Sequence, residues 1–176
     1  MQPTLHTPRL TLEPFRQSDL EDVFAYAKDP AVAEMVTWPA HESVQDSQAF
    51  LDWIRQSTSD TKGNLFYVWA MRLNETKKTI GSMSFSMPSP ETGQFDYALA
   101  RTHWKTGLTT EAAKCVFDWA FNTIPELKKF QAMCIEQNHG SRRVMEKVGL
   151  SLKEVREKSM LVKGNHVDIA FYSFEK

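Results

Sequence analysis

The chain has 176 residues and a formal net charge of −1; its 41% hydrophobic and 24% charged content sets aside fibrous and disordered classes. That length fits one domain, residues 1–176, able to bury most of its apolar surface. Acids and bases are interspersed, which predicts no nucleic-acid partner, and no apolar run approaches the ~20 residues of a membrane span. Met1-Gln2-Pro3-Thr4 lacks the basic start and apolar stretch of a secretory signal, so a cytoplasmic location is expected.

Residues 9–15 alternate apolar and polar and predict a strand. Ser18-Asp19-Leu20-Glu21 reads as a capping box, followed by Leu20, Val23, Phe24 and Ala27 at helical spacing. Ser43 to Asp46 opens a second helix with Phe50, Trp53 and Ile54 on its apolar side. After a break at Thr61-Lys62-Gly63-Asn64, residues 65–73 are apolar on both faces, as in a central strand. Residues 78–87 and 94–100 follow as strands, separated by Pro88-Ser89-Pro90. A helix is expected from Leu108 to Asn122, with Ala112, Cys115, Val116, Trp119 and Ala120 inward. Residues 128–136 form a strand and 139–148 a helix closed by Gly149; two last strands, 151–162 and 166–174, turn at Lys163-Gly164-Asn165. Hairpin-linked strands followed by a β-α-β crossover predict a mixed sheet with helices on both faces. Cys115 and Cys134 lack CxxC spacing and are expected as small core residues, with no metal site.

The segment Trp104-Lys105-Thr106-Gly107-Leu108-Thr109-Thr110-Glu111-Ala112 joins a predicted strand to the start of a predicted helix. A helix N-terminus has unpaired N–H groups and the positive end of the macrodipole, which suits a diphosphate, although an ordinary threonine-capped turn has the same appearance. Lys105-Thr106 precedes Gly107, so the GxxxxGK[ST] pattern is absent, as is GxGxxG. Glu111 in the first helical turn reads as a structural partner of the dipole.

The run WKTGLTTEAAKCVFDWAF resembles the diphosphate-binding motif of GCN5-related N-acetyltransferases (GNATs), [Q/R]xxGx[G/A] leading into a helix. It is most similar to the RimJ- and RimL-like branch, the ribosomal-protein N-terminal alanine/serine acetyltransferases. Asn138 to Leu150 resembles that branch's NxxSxxVLEKxGF, Thr7 to Leu12 its TxRLxLR start, and His166 to Ser173 its xxDxxxYS ending, all in order. Departures are Trp104 for Gln or Arg, Lys105 for the first glycine, Thr109 for Ala or Gly, Asp96 before Tyr97 for Gly, and Leu150 for Phe.

The resemblance implies an α/β (α+β) fold with a mixed, mostly antiparallel sheet of about seven strands and helices on both faces. That sheet is splayed between the fourth and fifth strands, 94–100 and 128–136. It implies acetyl-CoA as cosubstrate, held by Lys105, Thr106, Gly107, Leu108, Thr109 and Thr110. Leu99 and Ala100 are expected to offer the backbone N–H that polarises the thioester oxygen. Asn138 is expected to contact the pantetheine arm and Ser141 to protonate the leaving sulfur; both also fit plain helix capping.

The acceptor implied is a primary amine, on a protein N-terminus such as a ribosomal protein's or on a small molecule. A side-chain amine near ~10.4 needs a base more than an α-amine near ~7.7–8.0. Asp96 is the first choice, because it interrupts an aromatic and aliphatic strand where desolvation would raise its pKa; Glu136 is the second. His41, His103, His139 and His166 are further proton carriers that nothing places. Trp38, Phe66, Tyr67, Trp69 and Phe85 are candidates for lining the acceptor pocket, Trp38, Tyr67 and Phe85 foremost, against the alternative that such aromatics form core. A non-catalytic acyl-CoA sensor of the same fold is the competing reading, and the chain is expected as a monomer or homodimer.

Overall fold

The computed structural model describes residues 2–61 and 64–176; Lys62 and Gly63 of the expected break lie outside them. Nine strands are present among the described residues: β1 Leu5–His6, β2 Leu10–Pro14, β3 Ser59–Thr61, β4 Asn64–Leu73, β5 Thr79–Ser89, β6 Thr92–Leu99, β7 Lys129–Ile135, β8 Ser151–Val162 and β9 Asn165–Glu175. They form one sheet in the order β1-β2-β4-β5-β6-β7-β9-β8, with β3 paired to β4. Every pairing is antiparallel except β6 with β7. The sheet thus has nine strands rather than about seven. The additional β1 and β3 hold two and three residues, too few for alternation to be read from the sequence.

The helices are α1 Leu20–Ala27, α2 Pro30–Glu34, α3 Val44–Ser57, α4 Leu108–Thr123 and α5 His139–Val148. Short α2 was not expected, although Asp29-Pro30 carries its start signal. The Asp29 side chain accepts from Ala31 N at 2.9 Å, and proline fills the first helical position. The cap of α1 also differs from expectation. A 3-10 turn at Gln17–Asp19 precedes the helix, and Asp19 rather than Glu21 reaches back, accepting from Arg16 N at 2.7 Å. The cap of α3 stands as expected, with Asp46 accepting from Ser43 N at 2.8 Å.

Alternation along β4 decides which helix sees which residue. Tyr67, Trp69 and Met71 join the main core beneath α4, while Arg72 on the other face meets Asp19 beside α1. Trp119 of α4 wedges between Tyr67, Trp69 and Phe85, at ring separations of 5.9, 5.6 and 5.3 Å. Tyr67 is 3% exposed and Phe85 0%. Their expected role in an acceptor pocket is therefore corrected: both are core residues on the α4 face.

On the opposite face, α1 and α3 enclose a smaller apolar cluster of Val23, Tyr26, Ala27, Val32 and Leu51. A charged group ties α1 to the sheet. Asp19, 1% exposed, accepts from Arg72 Nη2 at 2.8 Å and from Thr79 Oγ1 at 2.8 Å, and Arg72 also pairs with Glu13.

The sheet opens in its middle. β6 and β7 pair in parallel only at Thr92↔Lys129, Gly93↔Phe130 and Gln94↔Gln131. The amides of Lys128 and Lys129 both donate to Glu91 O, pinning the closed end. Beyond Gln94, β6 follows β5 and β7 follows β9, leaving two strand edges facing each other without a ladder. This is the expected splay. The β8–β9 hairpin ends the fold; β8 is exposed along nearly its whole length, and Lys163 in the turn donates its Nζ to Ala33 O at the end of α2.

Candidate active site

The open end of β6 leads through a 3-10 turn, Arg101–His103, to the start of α4. Trp104 Nε1 donates to Leu99 O at 2.8 Å and Thr106 Oγ1 to His103 O at 2.6 Å, folding the loop onto the strand end. The chain then turns left-handed twice, at Lys105 (φ 63°) and Gly107 (φ 83°). Lys105 thus adopts the backbone conformation that favours glycine, at a cost of about 1 kcal/mol, and the loop is kept without that residue.

The first backbone bond of α4 runs from Glu111 N to Gly107 O at 3.0 Å. The amides of Leu108, Thr109 and Thr110 precede the ladder and point out of the helix end. Lys105, Thr106 and Gly107 are exposed there, while the Leu108 side chain is core, so only its amide belongs to the site. Glu111 holds this end to the β1–β2 connection. It accepts from Thr7 Oγ1 at 2.6 Å, Arg9 N at 2.9 Å and Arg9 Nε at 2.7 Å, while Arg9 Nη1 reaches Thr106 O at 3.0 Å. Burial alone would raise the Glu111 carboxyl; these donors outweigh it and hold the pKa below its ordinary value.

Register separates the two amides expected to face the thioester. Ala100 N donates to Ile80 O at 2.7 Å, so it is turned toward β5 and committed there. In an antiparallel ladder the next pair, Gly81↔Leu99, is a non-hydrogen-bonded one, and the Leu99 amide points away from β5 into the splay. Tyr97, two residues earlier, presents its amide to the same gap. Of the two, only the Leu99 amide faces the gap; the Ala100 amide does not.

On the other side of the gap, α5 begins at the end of β7. Asn138 Oδ1 accepts from Ser141 N at 3.0 Å, which is the capping arrangement, and both residues also line the cavity. The Tyr97 hydroxyl donates to Ser141 O at 3.3 Å, and burial holds its pKa above the ordinary value. Glu136 pairs with Arg142 Nη1 at 2.6 Å and does not line the cavity, which places it away from an acceptor.

A cavity of about 420 Å³ runs from the α1–α3 face into the splay. Trp38, Phe50, Trp53 and Phe66 form its aromatic wall, with Met35, Met133 and Met160. Ser82, Ser84, Asp96 and Ala98 line it from β5 and β6, and Cys134, Asn138 and Ser141 from the β7–α5 side. The Asp96 side chain is exposed and lines this cavity. Desolvation by the surrounding walls raises its pKa, only partly offset by hydrogen bonds from Gln94 and Ser84. Cys134 is half-buried, packed against the main core and also lining the cavity, and burial pushes its thiol up to about 11. Cys115 is likewise half-buried. Of the histidines, His41 bonds Ser47 Oγ at 2.8 Å and stacks near Trp38, and none lines the cavity.

Of the expected residues, Asp96, Trp38 and Phe66 line the cavity, whereas Tyr67 and Trp69 on the same strand as Phe66 do not. A one-residue step in a strand exchanges faces, and a strand apolar on both faces gives no parity signal. Trp53 was assigned to an apolar helix side; at 48% exposure it stands on the cavity rim instead.

The same fold recurs in known proteins. A family model described as an acetyltransferase (GNAT) domain matches residues 9–151. The uncharacterized N-acetyltransferase p20 of Bacillus licheniformis is 25% identical over 175 residues, covering 98% of this chain and 96% of that protein. Among solved structures, a GNAT-family acetyltransferase from Bacillus anthracis aligns with a TM-score of 0.86 at 20% identity, covering 98% of both chains. RimJ of Mycobacterium smegmatis, in complex with CoA-disulfide, aligns with a TM-score of 0.81 at 16% identity, covering 98% of this chain and 87% of that one.

Proposed function

The chain belongs to the GNAT acetyltransferase family, and from that premise we propose that it carries acetyl from acetyl-CoA to a primary amine by direct attack within one ternary complex. The observation that carries this reading is the gap between β6 and β7. It sets the cavity holding Asp96 against the Leu99 amide, the Ser141 helix start and, at the end of the same strand, the unladdered amides of α4.

These residues suit a nucleotide thioester. The α4 amides and the cationic Lys105 fit a diphosphate, and the open β6 edge fits the amide groups of a pantetheine arm. RimJ of Mycobacterium smegmatis, which shares the fold, was solved with a CoA derivative. When bound, the cosubstrate supplies an activated acetyl group. Asp96, as carboxylate, takes one proton from the acceptor ammonium, and its raised pKa brings it closer to the amine than an ordinary aspartate. The freed nitrogen bonds to the thioester carbonyl carbon as the carbon–sulfur bond breaks. The Leu99 amide donates to the carbonyl oxygen where negative charge builds. Ser141, beside the Tyr97 hydroxyl, relays a proton to the departing sulfur, replaced by the second proton that nitrogen loses; Asp96 returns its own to solvent.

Cys134 takes no part in this scheme. A thiol held near 11 is protonated at neutral pH and is a poor nucleophile, which disfavours an acetylated enzyme. Acetyl-CoA and a panel of primary amines, followed by thiol release, test the proposal. Release that depends on the amine supports it. Saturable CoA binding without release across the panel would favour the sensor reading, and absence of binding would overturn both.

A further inference from the structure

Resting on that reading, we infer that the acceptor is a compound with a single amine carried on an uncharged aromatic group. The aromatic wall is the reason. Trp53 stacks on Phe50 (centroids 6.1 Å apart, planes 22°) and meets Phe66 edge-on (5.8 Å, 69°), with Trp38 completing the lining. Trp53 lines the cavity and is nonetheless 48% exposed, so much of its indole surface is left uncovered by the described residues. Such a surface gains most from a flat apolar partner.

Charge narrows the choice further. Asp96 is the one carboxyl in the lining, and no lysine, arginine or histidine lines the cavity among the described residues. One ammonium therefore finds one acid. A second ammonium on a polyamine has no counter-charge inside, and the α-carboxylate of a free amino acid meets no cation while facing Asp96. A neutral aromatic monoamine meets neither penalty. The same chemistry is offered by a free arylalkylamine and by a peptide whose first residue is aromatic, since the peptide has no carboxylate at its α-carbon.

With acetyl-CoA saturating, kcat/KM is compared for 2-phenylethylamine, tryptamine, phenylalanyl-glycyl-glycinamide, butylamine, spermidine and free phenylalanine. The best aromatic monoamine is expected to exceed butylamine, spermidine and phenylalanine by at least roughly tenfold, the discrimination that shape in an apolar pocket provides. Whether free amine or peptide is faster assigns the source. In Trp53→Leu, KM for that substrate is expected to rise about tenfold with kcat nearly held, and butylamine to change less. Equal rates across the panel, or preference for spermidine, overturn the inference while leaving acetyl transfer standing. If no amine is acetylated, quenching of tryptophan fluorescence by 2-phenylethylamine in the CoA-saturated protein decides. Saturable quenching that is lost in Trp53→Leu supports the aromatic site, and no saturation overturns it.

Discussion

Asp96 costs the fold something that its proposed role as proton acceptor requires. Its pKa is raised in the native state by desolvation, so the folded chain keeps this proton to higher pH than the unfolded chain does. Below the unfolded value near ~3.9 both states are protonated and no penalty exists; the penalty grows as pH rises through the folded value. Asp96→Asn is therefore expected to raise Tm at pH 7, with a gain that fades toward pH 3, while lowering transfer at neutral pH. Paired thermal melts and thiol-release assays check this, and a variant equally stable at all pH with unchanged turnover would remove Asp96 from the site. Lys105→Gly is expected to stabilise by about 0.5–1 kcal/mol, because glycine relieves the left-handed strain; denaturant midpoints read the difference. Asp96 was legible in the sequence because an acid stood among apolar neighbours. Phe66 could not be told apart from Tyr67 and Trp69, because strand parity is set by pairing partners far along the chain. The Ala100 amide was misassigned for a similar reason: which N–H faces the gap depends on the register of β5 against β6.

Elements are joined by a few buried charges and caps. Arg72 on β4 neutralises Asp19 beneath α1, and Thr79 and Glu13 complete the group. Arg72→Met leaves Asp19 buried without a counter-charge, which is expected to cost about 3–5 kcal/mol in urea unfolding. Glu111 binds the first turn of α4 to Thr7 and Arg9. Its depressed pKa means that this support is present above the unfolded value near ~4.3 and lost as pH falls through the lower, folded value. Glu111→Gln is expected to cost about 1–2 kcal/mol at pH 7 and little near pH 3, measured by denaturant melts at both. Long elements were readable, α4 and α5 by their periodicity and β4 as an unbroken apolar run. The α1 cap was displaced because Asp19 bonds Arg16 and Arg72 together, and that second partner lies 53 residues away.

The whole molecule is a sheet interrupted at one place, and the interruption makes the site. Element order alone predicted the mixed sheet. The cavity was not readable, since it forms where two strands part and where loops from both halves of the chain meet. With α4 on one face and the cavity mouth on the other, the proposed donor and acceptor would approach from different sides. Initial-rate plots against both substrates are expected to intersect, as a ternary complex requires; parallel lines would point to a covalent enzyme intermediate and to Cys134 despite its raised pKa. At the sheet's edge, β8 carries Lys153, Glu154, Arg156, Glu157 and Lys158 along an exposed and irregular strand, features that discourage further strand addition.

The tie from Lys163 to Ala33 has an evolutionary corollary. It fastens the last hairpin over the helix that leads into the aromatic wall, so the entrance draws on Met35, Trp38, Phe50, Trp53 and Met160, while the proposed diphosphate grip lies at residues 105–110. Separate stretches of sequence govern the two tasks. Mutation at the entrance can redirect what is modified while the handling of the common donor is inherited unchanged, which is how one scaffold would diversify its targets.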